Sequence, residues 1–290
     1  MKVAGFTIAR NVLKYDYPMR EAILSVLPVV DRFFIAVGKS EDDTLNFIRS
    51  IDPEKIEILE TIWDDQLREG GKVLSTETNK AFDFIPAEYD WAFYIQGDEI
   101  LHEKYQQEVK DQMKRWKNAP EVQGLLFGYT HFFGSYDYVG DSRRWYRHEI
   151  RIIKNDKKIR SYKDAQGFRT GDNKKLSVKK IDAEIFHYGW VKPPKVQQEK
   201  QKNFHKMWHD DEWVKKHVGN AEEYDYSDID ALKKFEGTHP SVMLERVNRQ
   251  DWKFVYNPQS IRQSLKEKFL RQLTKTTGWI PGEYKNYKII

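Results

Sequence analysis

The first hundred residues alternate between short apolar runs and segments whose apolar residues recur at helical spacing. Strands are predicted at residues 3–9, 33–37, 56–62 and 91–95. Helices are predicted between them, one beginning at Pro18, one capped by Asp42 or Asp43, and one over residues 72–85 that Pro86 ends. Strands separated by helices are typical of βαβ units. The pattern therefore predicts an α/β fold with a mostly parallel central sheet and helices on both faces.

Beyond residue 104 the pattern becomes mixed. Val109, Met113 and Trp116 mark an amphipathic helix, and antiparallel strands are predicted at 124–133 and 149–153. The remaining predictions are a polar, mobile loop at 160–182, a short strand at 183–188, a charged helix at 195–217, an acidic linker at 222–230 and an amphipathic helix at 260–277. This half is therefore expected to be a mixed α+β region followed by C-terminal helices.

Composition places the chain among soluble globular proteins. It has 290 residues, of which 39% are hydrophobic and 32% charged. No run approaches the roughly 18 apolar residues of a membrane span, and no signal-peptide cleavage pattern follows the N-terminus, so we expect a cytoplasmic protein. The absence of cysteine excludes disulfides, thiolate catalysis and cysteine-ligated metals. A net charge of +4 without a patterned basic stripe argues against a nucleic-acid partner.

Acidic and polar residues follow the predicted strands where parallel strands end, which is where α/β sheets bind ligands. They are Arg10, Asn11, Ser40 to Asp43, Asp64, Asp65 and Gly97 to Glu99. Acids at three of the four strand ends would repel one another, which suggests a divalent cation among them. Asp98 is suited to Mg²⁺ or Mn²⁺, which take oxygen ligands from carboxylates and phosphates. The alternative is an acidic turn after a buried strand.

The order of these elements, with the tract Gln96-Gly97-Asp98-Glu99 after the fourth strand, resembles family 2 glycosyltransferases of the GT-A fold. In that family the fourth strand commonly ends in D-x-D, and a metal bridges it to the nucleotide diphosphate. Asp98 matches the metal-binding acid, whereas Gln96 replaces the first acid of the motif. Ser40, Asp42 and Thr44 fit the family's D-D-G-S-T-D-G-T loop, which here lacks its leading acid pair.

The resemblance implies a division of labour along the chain. Residues 1–103 would form the nucleotide-sugar-binding half, 104–220 the acceptor-side half of the same domain, and 221–290 a C-terminal helical extension. Contacts to the nucleotide sugar would come from Ala9, Arg10, Asn11, Ser40, Asp42, Asn79, Gln96 and Gly97. Asp98 would bind Mn²⁺ or Mg²⁺. His187, in the segment HYGWVKPP, would be a second metal ligand or a contact to the diphosphate, and its alternative is a structural role.

Glycosyl transfer also requires a carboxylate that takes the proton from the acceptor hydroxyl. The candidates are Glu149, Asp164 and Asp172, each of which could instead pair with a nearby Arg or Lys. Asp164 is favoured, because it lies in the loop before the His187 strand, where this family tends to place its base. Lys163, Arg143, Arg144 and Arg169 could grip phosphate or an acidic acceptor.

The hypothesis from the sequence is a metal-dependent, inverting glycosyltransferase that moves a sugar from a nucleotide-sugar donor to a glycan or glycolipid acceptor. One alternative is a non-catalytic glycan-binding or scaffold protein on the same fold. A sugar nucleotidyltransferase is less favoured, because no glycine-rich loop follows the first strand. A dehydrogenase is excluded, because no G-x-G-x-x-G motif follows any early strand. The basic helix at 260–277 either makes peripheral contact with an anionic membrane or covers the core, and we favour the core.

Overall fold

The structure is a computed structural model, and it describes residues 1–67, 69–219, 221–227, 229, 231–257, 265–278, 282 and 284–290. The strands are β1 (Val3–Ala9), β2 (Arg32–Gly38), β3 (Ile56–Thr61), β4 (Trp91–Tyr94), β5 (Glu99–Leu101), β6 (Gly124–Phe133), β7 (Ser135–Gly140), β8 (His148–Lys154), β9 (Ile159–Tyr162), β10 (Gly167–Thr170), β11 (Leu176–Trp190), β12 (Leu232–Lys234) and β13 (Tyr287–Ile289). The α-helices are α1 (Met19–Val26), α2 (Thr44–Arg49), α3 (Lys72–Asp83), α4 (Gln106–Trp116), α5 (Pro194–Lys206), α6 (Asp211–His217), α7 (Leu244–Asn248) and α8 (Leu265–Thr277).

The N-terminal strands form a parallel sheet in the order β3-β2-β1-β4. The helices α1, α2 and α3 lie in the connections between successive strands, as the parallel strands of βαβ units require. The four strands and three helices predicted for this half are confirmed to within a few residues at each end. The α/β fold class predicted from the sequence is therefore confirmed.

Alternate residues of these strands pack on opposite faces of the sheet. In β2, Phe33, Ile35 and Val37 pack in the same core as α1 and α2, whereas Phe34 and Ala36 pack in the core that contains α3. Strands covered on both faces read as continuous apolar runs, which explains the sequence pattern. The carboxyl ends of β1, β2 and β4 consequently meet at one edge, which we call the strand-end edge.

The second half of the sheet is mixed. β8 is antiparallel to both β4 and β6, and β6 is antiparallel to β7 but parallel to β11. β12 and β13 add to β7 and β11, respectively. Because β8 runs against β4, with Phe93 opposite Ile152, its first residues lie next to the strand-end edge. The division of the chain at residues 103 and 220 stays a prediction.

Two predictions in the second half were wrong. Residues 160–182, predicted to be a loop, contain the end of β9, all of β10 and the start of β11. Their inward side chains, such as Phe168 and Val178, are fully buried, but charged residues on the outer face mask the alternation. The single helix predicted at 195–217 is two helices, because the Asp210 side chain accepts a hydrogen bond from the amide of Trp213 and so caps a new helix, α6.

The C-terminal helix is described as α8, and residues 260–264 of its predicted span lie outside the described residues. Its contact with a membrane surface or with the core stays a prediction. Within the described ranges, no helix has both the length and the apolar character needed to cross a membrane.

Candidate active site

The loops that follow β1 and β2 are joined by hydrogen bonds at the strand-end edge. The amide of Asn11 donates to Ser40 Oγ at 3.0 Å, and Asn11 Oδ1 accepts from the amide of Glu41 at 2.7 Å. Asn11 adopts a left-handed backbone conformation with φ of 53°, which asparagine tolerates better than most residues. Asp42 accepts from the amide of Lys14 at 2.7 Å. Asn11, Ser40 and Asp42, which the sequence analysis assigned to one edge of the sheet, therefore lie together, and the buried Ala9 precedes them.

The protein's own cations neutralise much of the acidity of this edge. Arg10 pairs with Asp65, with 2.5 Å between Nη1 and Oδ1, and Lys14 pairs with Glu41 at 2.5 Å. The Arg10 guanidinium also lies 5.4 Å from the centre of the Trp63 ring. Because these acids have intramolecular partners, their clustering at the strand ends does not by itself require a divalent metal.

Glu99 points away from the edge into the core. It forms a bidentate ion pair with Arg151, with both N–O distances at 2.7 Å, and it accepts from the Tyr129 hydroxyl at 2.8 Å. Both charged side chains are completely buried. Sequence reasoning missed Arg151, although an arginine inside the apolar strand EIRII indicates a buried acidic partner.

Asp98 lies at the edge beside a lysine that the sequence analysis did not identify. The Lys200 ammonium donates to Asp98 Oδ2 at 2.9 Å and to the carbonyl of Gly189 at 2.8 Å. Both charged side chains are about one tenth exposed. Burial alone would raise the pKa of Asp98, but the adjacent Lys200 ammonium overrides this and lowers it well below the usual value. Asp98 is therefore ionised and already paired.

His187, on β11, belongs to a chain of hydrogen bonds that determines which of its ring nitrogens carries the proton. His131 Nε2 lies 2.7 Å from the carbonyl oxygen of Tyr146 and must donate to it, so its Nδ1 is the acceptor of a neutral ring. His187 Nδ1, at 3.1 Å from His131 Nδ1, is then the donor. The His187 Nε2 lone pair consequently faces Asp98 Oδ1 at 3.8 Å. Burial lowers the pKa of both histidines, which favours these neutral rings.

The two predicted metal ligands, Asp98 and His187, thus lie side by side, but their surroundings do not fit a divalent ion. Mg²⁺ and Mn²⁺ take mainly oxygen ligands in larger sets. No group of three or more His, Cys, Asp or Glu side chains suited to a metal occurs within the described ranges. Lys200 also places a positive charge against the Asp98 carboxylate. The predicted Mn²⁺ or Mg²⁺ therefore has only a partial donor set here, and its use stays a prediction.

A second buried lysine adjoins this site. Lys192 is 1% exposed, donates to the carbonyl of Asp16, and lies 5.0 Å from the centre of the Tyr17 ring. Lys200 lies 4.8 Å from the same ring. Burial, assisted by the positive charge of Lys200, lowers the pKa of Lys192 to about 7. We call Lys192 and Lys200 the lysine pair. The only sequence signal for the lysine pair was the segment HYGWVKPP, which contains Lys192.

A cavity of about 320 Å³ contains both predicted catalytic carboxylates, Glu149 and Asp164. Aromatic residues, including Trp145 and Tyr146, form part of its wall. Its cationic lining residues are Arg143, Arg144, Arg147 and Lys163. Asp172 lies outside the cavity lining and pairs with Lys174 at 2.5 Å, whereas Arg169 donates at 2.7 Å to Asn286, which lines the cavity. The cavity therefore combines acids, cations and stacking surfaces.

Burial raises the pKa of Glu149 to about 8 and also raises the pKa of Asp164. Glu149 is 7% exposed, and its Oε2 atom has no hydrogen-bond partner among the described residues. A carboxyl group held near neutral pKa in a cavity is typical of a general acid or base.

Two further residues that were predicted to contact the nucleotide sugar, Gln96 and Asn79, form hydrogen bonds with the segment around Asp164. Gln96 Nε2 donates to the carbonyl of Ala165 at 3.3 Å, and Asn79 Oδ1 accepts from the amide of Ser161 at 2.9 Å. A Cβ on Gly97 would lie 2.6 Å from Met19 Cε, so a larger residue at this turn would require the Met19 side chain on α1 to shift. The cavity is linked to Asp98 through Tyr146, His131 and His187. The two carboxylates and the strand-end edge thus form one continuous region.

Several solved structures are similar to part of this chain, although no family model and no curated protein matches it. TarS 1–349 from S. aureus is 12% identical, with a TM-score of 0.39, over 70% of this chain and 64% of that chain. Glucosyl-3-phosphoglycerate synthase from Mycobacterium tuberculosis, in complex with Mg²⁺ and UDP, is 16% identical, with a TM-score of 0.30, over 45% and 43%. A 4-diphosphocytidyl-2C-methyl-D-erythritol synthase from Anaerococcus prevotii is 10% identical, with a TM-score of 0.33, over 53% and 70%.

The chain spans 36 to 64% of the length of the TarS structures it matches. These likenesses are partial, and the α/β architecture rests on the strand pairings described above. The chemistry of the site rests on this chain's own side chains.

Proposed function

We propose that this protein is a glycosyltransferase that moves a sugar from a nucleotide-sugar donor to a glycan or glycolipid acceptor with inversion at the anomeric carbon. The observation that carries the proposal is the cavity that holds Glu149 and Asp164 with raised pKa values and is linked to Asp98 through Tyr146, His131 and His187. The nucleotide would bind at the joined loops of Asn11, Ser40 and Asp42.

In the proposed reaction a cavity carboxylate takes the proton of an acceptor hydroxyl. The hydroxyl oxygen then attacks the anomeric carbon of the donor sugar, and the bond from that carbon to the nucleoside diphosphate breaks. Glu149 is the stronger candidate for the base. Its carboxyl has an unpaired oxygen among the described residues, and a base with a pKa of about 8 is matched to proton transfer near neutrality. Asp164, favoured from the sequence, would bind the acceptor next to it.

The acceptor is proposed to be acidic. Arg143, Arg144, Arg147 and Lys163 line the cavity, and arginine binds carboxylate and phosphate through paired hydrogen bonds. The aromatic walls suit the apolar face of a sugar ring. A phosphorylated or uronic acid-containing glycan would satisfy both kinds of side chain.

The experiment is a release assay. Purified protein is incubated with a panel of nucleotide sugars and acidic glycan acceptors, and free nucleoside diphosphate is measured. We expect turnover that Glu149→Gln lowers by about 10² to 10⁴, the contribution of a general base. Asp172→Asn is the control, because Asp172 lies outside the cavity lining and pairs with Lys174.

A scaffold protein would give a different result. It would bind glycans without releasing nucleoside diphosphate from any donor, and Glu149→Gln would then change nothing in the release assay. Transfer of a nucleotidyl group would instead release pyrophosphate from a nucleoside triphosphate. Either of these outcomes would contradict the proposal.

A further inference from the structure

We propose that the cation that neutralises the departing nucleoside diphosphate at this site is the lysine pair, led by the Lys200 ammonium, in place of a divalent metal ion. This inference rests on the proposed function and specifies how the donor is held. It concerns the position, beside Asp98, where the sequence resemblance expects a metal.

The first support is the location of Lys200. Its Nζ atom lies 2.9 Å from Oδ2 of Asp98, the carboxylate that was predicted to bind a metal ion. The same ammonium is fixed by the carbonyl of Gly189 at 2.8 Å and by the Tyr17 ring. A lysine held by three groups on separate segments is pre-organised, so binding an anion costs little side-chain entropy.

The second support is the charge balance of the buried cluster. Lys192 and Lys200 are both buried, and among the hydrogen bonds of the described residues Asp98 is the only carboxylate that either amine reaches. The Asp16 carboxylate is paired with Arg246 at 2.7 Å, and Lys192 contacts only the backbone carbonyl of that residue among its described hydrogen bonds. A diphosphate would supply further negative charge next to these two buried amines.

The third support is the free bonding capacity of Lys200. An ammonium has three N–H donors, and the hydrogen bonds formed within the described residues use two of them. One N–H therefore remains for a phosphate oxygen. The Tyr17 ring, which both lysines approach, connects this point to the loop after β1, where the nucleotide is proposed to bind.

The test is nucleoside diphosphate binding by calorimetry, with UDP, GDP, CDP, ADP and dTDP as probes, in EDTA and again in excess Mn²⁺. For the nucleotide that binds best, we expect the same affinity under both conditions. Lys200→Met should weaken that affinity by about tenfold or more, the worth of one charge-assisted hydrogen bond. Lys202→Met is the matched control on α5: among the described residues Lys202 donates only to the carbonyl of Ala221, so this variant should bind nucleotide as the wild type does.

Lys200→Met leaves Asp98 buried without its partner and could unfold the protein. The second variant therefore combines Lys200→Met with Asp98→Asn, which removes both charges and keeps the volume. Its thermal unfolding is compared with that of the wild type, and its nucleotide affinity should remain as weak as that of the single variant. Wild-type affinity in the double variant would overturn the inference.

The outcomes separate this inference from the proposed function. Binding that appears only with Mn²⁺ and is lost in Asp98→Asn would overturn the role of Lys200 and leave the glycosyltransferase proposal standing. Failure of every nucleoside diphosphate to bind the wild type, with and without Mn²⁺, would count against the proposed function and so against both. Binding in EDTA that depends on Lys200 supports both.

Discussion

Gly189, which has no side chain, leaves open the space next to Asp98. A Cβ on Gly189 would lie 2.7 Å from His187 Nε2 and 2.8 Å from Asp98 Oδ2, closer than non-bonded atoms approach. The same glycine supplies the carbonyl that holds Lys200. At the residue scale, the absence of a side chain at position 189 is thus what allows a histidine, a carboxylate and an ammonium to share one place.

Gly189→Ala should therefore disturb the site directly. The added methyl group must displace His187 or Asp98, and we expect a loss of about 1 to 3 kcal/mol in the free energy of unfolding together with weaker nucleotide binding. Chemical denaturation and calorimetric titration measure the two effects. Gly171→Ala is the control, because the nearest atom to its new Cβ is 3.5 Å away. Equal behaviour of the two variants would show that the space at Gly189 is unimportant.

At the scale of elements, β8 decides how the two halves of the sheet meet. It runs antiparallel to β4, carries Glu149 towards the cavity, and sends Arg151 back to Glu99 at the start of β5. Sequence periodicity identified the strand but could not identify this partner, because the two residues are 52 positions apart. The error at 160–182 has a related cause, since a half-buried strand with a charged outer face has the composition of a loop.

Arg151→Met tests the ion pair that joins β8 to β5. It leaves Glu99 buried and unpaired, so we expect a loss of about 3 to 5 kcal/mol in the free energy of unfolding. The more exposed pair of Arg160 with Asp83 gives the matched comparison, and Arg160→Met should cost about 0 to 1 kcal/mol. Combining Arg151→Met with Glu99→Leu should recover part of the loss, because no charge then remains unpaired. Urea unfolding of the four proteins measures this, and equal costs for the two arginine variants would contradict it.

At the scale of the whole molecule, the protein contains buried titratable groups whose charged forms are disfavoured. Glu149 is the clearest case, because burial raises its pKa from 4.5 to about 8. Between these two values the folded state retains a proton that the unfolded state has lost. Stability from this group is therefore complete below pH 4.5 and is lost as the pH rises through about 8.

Glu149→Gln should remove this pH dependence. Relative to the wild type, the variant should gain stability progressively from pH 5 to pH 9, because an amide has no proton to lose. Thermal unfolding temperatures across that range measure the difference. The exposed Glu236→Gln is the control and should follow the wild-type curve. A constant offset between wild type and Glu149→Gln at all pH values would show that Glu149 does not titrate differently in the folded state.

The sequence by itself determined the βαβ order, the parallel strands and the strand-end residues Asn11, Ser40, Asp42 and Asp98. These features depend on local periodicity and on where each strand ends, which a single sequence contains. Only the tertiary structure decided what neutralises the acids. Asp98 and Lys200 are 102 residues apart in the sequence, and Glu99 and Arg151 are 52 apart. Both pairs form because α5 and β8 pack against the sheet. Charge partners are set by distance in space, whereas the sequence records only distance along the chain.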